Sequence, residues 1–139
     1  MIEQDTDRTV GSLMTRDPLV IWADAPLRDA AEMMDTFDVT GLPVVDESGG
    51  VVGVISQTDL VRVVATRHLW SGWPGLSVRH LMTRPAITVT EDITLETAAR
   101  LMERQQIHRL VVVGEDGRTP VGVLSLTDFV RMLTEADGG

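Results

Sequence analysis

Two four-residue stretches combine hydroxyl and carboxylate side chains at a spacing suited to binding: Ser56-Gln57-Thr58-Asp59 and Ser125-Leu126-Thr127-Asp128. Each follows an apolar run and opens a segment of helical periodicity. A Ser or Asp at such a point can cap the helix by accepting a backbone N–H bond. The same helix start offers free N–H groups to an anion or a hydroxyl, so structural and binding roles are both open. A carboxylate suits a pair of adjacent hydroxyls because it accepts from both, and charged hydrogen bonds are the stronger ones. A third stretch, His108-Arg109, precedes an apolar run. Arg keeps its charge and makes a two-pronged contact with phosphate; the alternative is a solvated pair at a strand entry. The corresponding place earlier in the chain holds Thr40-Gly41, which lacks this chemistry.

Other chemistries find little support. There is no cysteine, which excludes disulfides and thiolate metal sites. His68 and His80 have no metal-ligand spacing with each other or with a carboxylate cluster. Glu91-Asp92 precede a helix and fit its dipole. No Ser/His/Asp set stands out, and an enzyme is not expected. All twelve basic residues are Arg, reflecting either anion recognition or base composition, and the absence of Lys removes Schiff-base and Walker-type chemistry. A net charge of −9 disfavours nucleic-acid binding, which needs a positive footprint. No apolar run is long enough to span a membrane, and residues 1–8 lack a secretory pattern, so a cytoplasmic protein is expected.

The elements that must position these residues occur twice. Gly53-Val54-Ile55-Ser56-Gln57-Thr58-Asp59-Leu60-Val61-Arg62 returns as Gly122-Val123-Leu124-Ser125-Leu126-Thr127-Asp128-Phe129-Val130-Arg131. Leu13-Met14-Thr15-Arg16 returns as Leu81-Met82-Thr83-Arg84, and the offset is 67 to 69 residues throughout. Leu27, Ala30, Ala31 and Met34 fall on one helical face, as do Leu95, Ala98, Ala99 and Met102. Pro26 fits a first helical position, and Thr94 fits a cap. Strands are expected over 19–22, 43–45, 51–55, 86–89, 110–113 and 121–124, with turns at 46–50 and 114–119. Further helices are expected over 58–67 and 127–135, a helical turn over 10–14, a mobile tail over 1–9 and fraying at Gly138-Gly139. Each repeat therefore reads β-α-β-β-α, an α+β pattern with helices covering a small sheet. The boundaries are 10–67 for the first unit, 68–77 for a connector and 78–135 for the second unit. A unit of this size is marginal alone, so the two are expected to pack as a pseudo-symmetric pair. Trp70 and Trp73 in the connector suit either packing at the junction or a contact for another chain.

The repeat resembles the cystathionine-β-synthase-type (CBS) domain, and the tandem resembles a CBS pair, or Bateman module. The resemblance covers residues 10–134 and rests on Leu-Met-Thr-Arg before a Pro, the Ala-Ala-x-x-Met helix, Gly41-Leu42-Pro43-Val44-Val45 and the Gly-Val-x-Ser-x-Thr-Asp block. Residues 107–113 and 122–128 are similar to the regulatory γ subunit of AMP-activated protein kinase.

The resemblance implies a free-standing regulatory module that binds AMP, ADP, ATP or S-adenosylmethionine in clefts between its units. It also implies a homodimer built through helices and a regulated partner protein whose identity is not written in the chain. No cofactor is implied beyond the regulatory ligand. By resemblance Asp59 and Asp128 take ribose hydroxyls, Ser56, Thr58, Ser125 and Thr127 help hold ribose or phosphate, and His108 and Arg109 reach phosphate. The segments containing Val20, Ile21, Ile87 and Thr88 would meet the adenine. The alternative is an interaction protein with vestigial clefts.

Overall fold

The computed structural model describes residues 8–70 and 75–138. Expectations for Trp73, residues 1–7 and Gly139 fall outside the described residues. The elements in chain order are α1 (Val10–Leu13), β1 (Thr15–Arg16), β2 (Ile21–Trp22), α2 (Leu27–Phe37), β3 (Gly41–Val45), β4 (Val51–Ser56) and α3 (Gln57–Thr66). A 3-10 turn (Arg67–Leu69) follows, then α4 (Val78–Leu81), β5 (Thr88–Thr90), α5 (Leu95–Gln105), β6 (Arg109–Val113), β7 (Pro120–Ser125) and α6 (Leu126–Gly138). The α+β class and the doubled β-α-β-β-α order are as expected.

The chain forms two compact units, and their limits differ from those of the repeats. One runs from Leu19 to Ala86; the other joins the chain up to Pro18 with Ile87 onward. The opening segment of each repeat thus packs on the other repeat's sheet. Around α1, Val10 N–H donates to the Ile93 carbonyl and Gly11 N–H to that of Glu91, both at 2.9 Å. Around α4, Val78 N–H donates to the Ala25 carbonyl at 2.9 Å and Arg79 N–H to that of Ala23 at 2.8 Å. Short helical turns have few internal bonds, and these contacts satisfy their leading N–H groups.

The first-repeat unit holds a sheet of order β2-β3-β4, with β2 parallel and β4 antiparallel to β3. The second-repeat unit holds the matching β5-β6-β7 and adds β1 antiparallel to β7. Both hairpins carry a register shift at the same place, Val44/Val45 and Val112/Val113. Gly53 and Gly122 sit where the exchanged segments cross: a Cβ on either would approach Thr83 O or Thr15 O within 2.8 and 3.0 Å. Each core is formed by the apolar strand faces and the buried stripe of its helix, Leu27, Ala30 and Met34 or Leu95, Ala98 and Met102.

Several expectations need correction. Ala31 and Ala99 are exposed in both repeats. Each lies about 100° around the helix from the alanine before it, at the stripe's edge, where its methyl is left in solvent. Pro26 is the N-cap of α2, one residue earlier than expected. The strand expected from residue 19 starts at Ile21, because pairing with β3 begins there; Leu19 and Val20 are each 37% exposed. Arg8 and Thr9 are not part of a loose tail: the Arg8 carbonyl accepts from Leu95 N–H at 2.8 Å, and Thr9 bridges Thr94. Gly138 lies within α6. Trp70 packs on the first-repeat core and donates through its indole N–H to Thr66 Oγ1 at 3.0 Å.

Candidate functional site

Strand order brings the second repeat's marked residues to one end of one sheet. Arg109 opens β6 and Ser125 closes β7, and the two are register partners. Leu126 N–H donates to the His108 carbonyl at 3.1 Å, tying the start of α6 to the entry of β6. On the other side of β6, Val111 N–H donates to the Ile87 carbonyl at 3.3 Å, and Thr88 pairs with Val111. Ile87, Thr88, His108, Arg109, Ser125, Thr127 and Asp128 therefore share one end of the second-repeat unit. His108 and Thr127 are exposed there, while Ile87, Thr88, Arg109 and Ser125 are half-buried.

The first repeat builds the same frame with less chemistry on it. Gly41 pairs with Ser56, and Gln57 N–H donates to the Thr40 carbonyl at 3.0 Å. Val20 precedes β2 at this end. Ile21 faces the core at 4% exposure, so its side chain has no surface to offer a ligand. Thr58 is exposed.

Among the described residues, the buried charged side chains are Asp59 and Asp128, at 2% and 4% exposure. Burying a carboxylate demands hydrogen-bond partners, and both have them. Asp59 Oδ2 accepts from Ser56 N–H at 2.8 Å and from Ser56 Oγ at 3.0 Å. Its Oδ1 accepts from Arg62 at 3.0 Å and from Thr83 Oγ1 at 3.1 Å. Asp128 Oδ2 accepts from Ser125 N–H at 2.8 Å and Ser125 Oγ at 3.2 Å, while Oδ1 accepts from Arg131 at 2.8 Å. Ser56 also accepts from Asp59 N–H at 3.3 Å and completes a capping box. Ser125 Oγ lies 2.8 Å from the exposed Thr127 Oγ1. The full capping box is thus formed at Ser56, while at Ser125 the Asp128 carboxylate bonds back to the Ser125 N–H, the other half of that motif.

Three partners of these carboxylates escaped the sequence reading. Arg62 and Arg131 stand three residues beyond their aspartates, a spacing that places charges side by side on a helix. Thr83 gives no local signal, being 24 residues from Asp59. Glu91 also has a partner the sequence did not reveal: Arg16 meets it at 2.9 Å. His80 accepts Ser77 N–H at 3.1 Å through Nδ1, consistent with a structural role.

A cleft of about 470 Å³ lies at the opposite end of the first-repeat sheet, lined by Trp22, Asp24, Asp46, Glu47 and Arg79 among others. It includes none of the residues singled out from the sequence. Two of its acidic groups are already engaged, Asp24 with Arg79 and Asp46 with Ser48 and Gly50 in the hairpin turn. Among the described residues no group of three or more His, Cys, Asp or Glu could hold a metal, and no helix is long and apolar enough to cross a membrane.

Comparison with known proteins bears on this geometry. The family model described as "CBS domain" matches residues 10–66 and 78–135. The chain is similar to CBSX2 of Arabidopsis thaliana, solved in complex with AMP: 34% identity, TM-score 0.82, 94% of this chain and 98% of that one covered. It is also similar to the CBS domain pair of protein MJ0100 in complex with 5-methylthioadenosine and S-adenosylmethionine, with 25% identity, TM-score 0.82 and coverage of 92% and 97%. A homoserine O-acetyltransferase of Methanococcoides burtonii is 31% identical over 128 residues, which are 92% of this chain and 25% of that protein. The chain spans a quarter or less of the length of the first curated relatives it matches, which include inosine-5'-monophosphate dehydrogenases.

Proposed function

This chain belongs to the CBS-domain family, and on that premise we propose that it is a regulatory module whose second-repeat unit binds an adenine nucleotide or S-adenosylmethionine. The observation that carries the reading is the placement at one sheet end of the buried carboxylate of Asp128, of Arg109 at the start of β6 and of the apolar Ile87. These would serve a ribose, a phosphate and a purine face in turn. Ser125 and Thr127 add hydroxyls beside the carboxylate. The AMP-bound and S-adenosylmethionine-bound relatives support this ligand class. Arg109 favours a phosphorylated ligand over S-adenosylmethionine, because its fork matches phosphate oxygens. Ser56, Thr58, Asp59, Val20 and the backbone of Ile21 form the weaker counterpart, since Thr40-Gly41 supplies no cation.

The ligand's binding is read out by a partner protein, and the chain itself performs no chemical step. Support comes from its match to stretches of proteins with different activities, a dehydrogenase and an acetyltransferase. It acts in the cytoplasm, away from nucleic acid and membrane, in keeping with its negative charge. It works as a homodimer. Val61 and Val64 on α3 are 68% and 57% exposed, and their repeat counterparts Val130 and Leu133 on α6 are 62% and 46% exposed. The same apolar pair left in solvent in both repeats suits an association face.

A thermal-shift panel of AMP, ADP, ATP, S-adenosylmethionine and NAD tests the ligand class. Native-state binding stabilises by RT ln(1 + [L]/Kd), about 2.7 kcal/mol at a hundredfold excess over Kd. Stabilisation by an adenine compound is expected. No response to any of the five at millimolar concentration would sink the ligand reading.

A further inference from the structure

We propose that Thr83 decides which repeat accepts a hydroxyl-bearing ligand, by closing the Asp59 carboxylate while its counterpart Thr15 leaves that of Asp128 open. The inference rests on the binding role proposed above and adds the residue that makes the two sites unequal. An ionised carboxylate offers about four acceptor positions. At Asp59 four donors occupy them: Ser56 N–H, Ser56 Oγ, Arg62 and Thr83 Oγ1. At Asp128 three are occupied, by Ser125 N–H, Ser125 Oγ and Arg131, and no hydroxyl fills the fourth among the described residues. The aspartates are otherwise alike in burial, motif and basic partner.

The difference traces to the exchanged segments. Thr83 bridges Val54, and Thr15 pairs with Val123, which holds Val54's place in the second repeat. Backbone placement is therefore shared. Beyond it the segments diverge: Thr15-Arg16-Asp17-Pro18 has one residue more before proline than Thr83-Arg84-Pro85. The longer segment pairs a second residue, Arg16 with Gly122, and its Asp17 N–H donates to the Val121 carbonyl at 3.3 Å. The shorter one leaves β4 after the single bridge, and its threonine hydroxyl turns onto the carboxylate. A ribose hydroxyl must displace Thr83 to reach Asp59, whereas it can add to Asp128.

Titration calorimetry with adenosine, which carries the diol without phosphate, tests this. The wild type should bind one adenosine per chain, lost in Asp128→Ala. Thr83→Val, of similar shape without the hydroxyl, should bind two. Thr83→Val combined with Asp128→Ala should bind one again, and Thr83→Ser should stay at one because it keeps the donor. Two sites in the wild type, or an unchanged single site in Thr83→Val, overturns the proposal. Thr83→Ala substitutes if the valine variant does not fold. If neither wild type nor variant binds adenosine, the ligand reading fails, and the closure is judged without ligand. Thr83→Val should then lower the urea midpoint while Thr15→Val leaves it unchanged; equal effects at the two positions overturn the closure.

Discussion

Replacing Gly122 with alanine probes the exchange of opening segments directly. A Cβ there would lie 2.5 Å from Met14 Sδ, 3.0 Å from Met14 Cγ and 3.0 Å from the Thr15 carbonyl oxygen. The methionine tip can turn aside, but Met14 is 8% exposed and has little room. The carbonyl cannot yield without moving β1, whose Thr15 and Arg16 pair with Val123 and Gly122. Crowding of this kind costs ~1–3 kcal/mol. Alanine recovers ~0.4–1 kcal/mol by restricting the unfolded chain, which leaves a net loss of ~1–2 kcal/mol. For a chain of this size that lowers Tm by roughly 3–6 °C. Urea unfolding should show a lower midpoint at unchanged slope, the sign of lost stability without altered compactness. Adding Met14→Ala removes the sulfur contact and should return part of the loss, a coupling of ~0.5 kcal/mol or more. Gly122→Ala within ~0.3 kcal/mol of wild type, a difference too small for a packed-core clash, would refute the close-approach argument. So would strict additivity with Met14→Ala.

Arg109→Ala should weaken AMP about tenfold to hundredfold, from the ~1.5–3 kcal/mol of a hydrogen bond to a charged group, and leave adenosine unchanged; equal losses for both ligands in calorimetry would remove the phosphate role. Asp128→Ala should weaken both, and loss of AMP from Asp59→Ala instead would assign the ribose to the other repeat. Light scattering should give twice the 15.2 kDa chain mass at micromolar concentration, and Val61→Asp with Val130→Asp should return the monomer mass; a monomeric wild type refutes the homodimer. The Thr119 hydroxyl, with the Thr119 and Arg118 N–H groups, lowers the Asp116 pKa from 3.8 to about 2. A lowered folded-state pKa contributes stability above the unfolded value that is lost as pH falls through the folded one. The Tm gap between wild type and Asp116→Asn should therefore hold above pH 3.8 and close toward about 2; a gap that persists below pH 2 would contradict the carboxylate's role in the turn.

The sequence by itself determined the repeated β-α-β-β-α units, because hydrophobic period and turn chemistry are local. Leu27, Ala30 and Met34 announce a helix face wherever the helix goes, and Asp116 and Gly117 announce a turn. The capping role at Ser56 was legible for the same reason, as was the clustering of His108, Arg109 and Asp128 once β6 and β7 were read as a hairpin. Tertiary structure alone decided the rest. The two Leu-Met-Thr-Arg copies are nearly interchangeable as text, so nothing in them says that each packs on the other repeat's sheet. That choice depends on contacts between residues far apart in the chain, such as Arg16 with Glu91. It also put Thr83 beside Asp59 and left Asp128 one acceptor position short of saturation. Two motifs that read alike differ because a carboxylate's capacity is set by every donor that reaches it in space, including those no local spacing reveals.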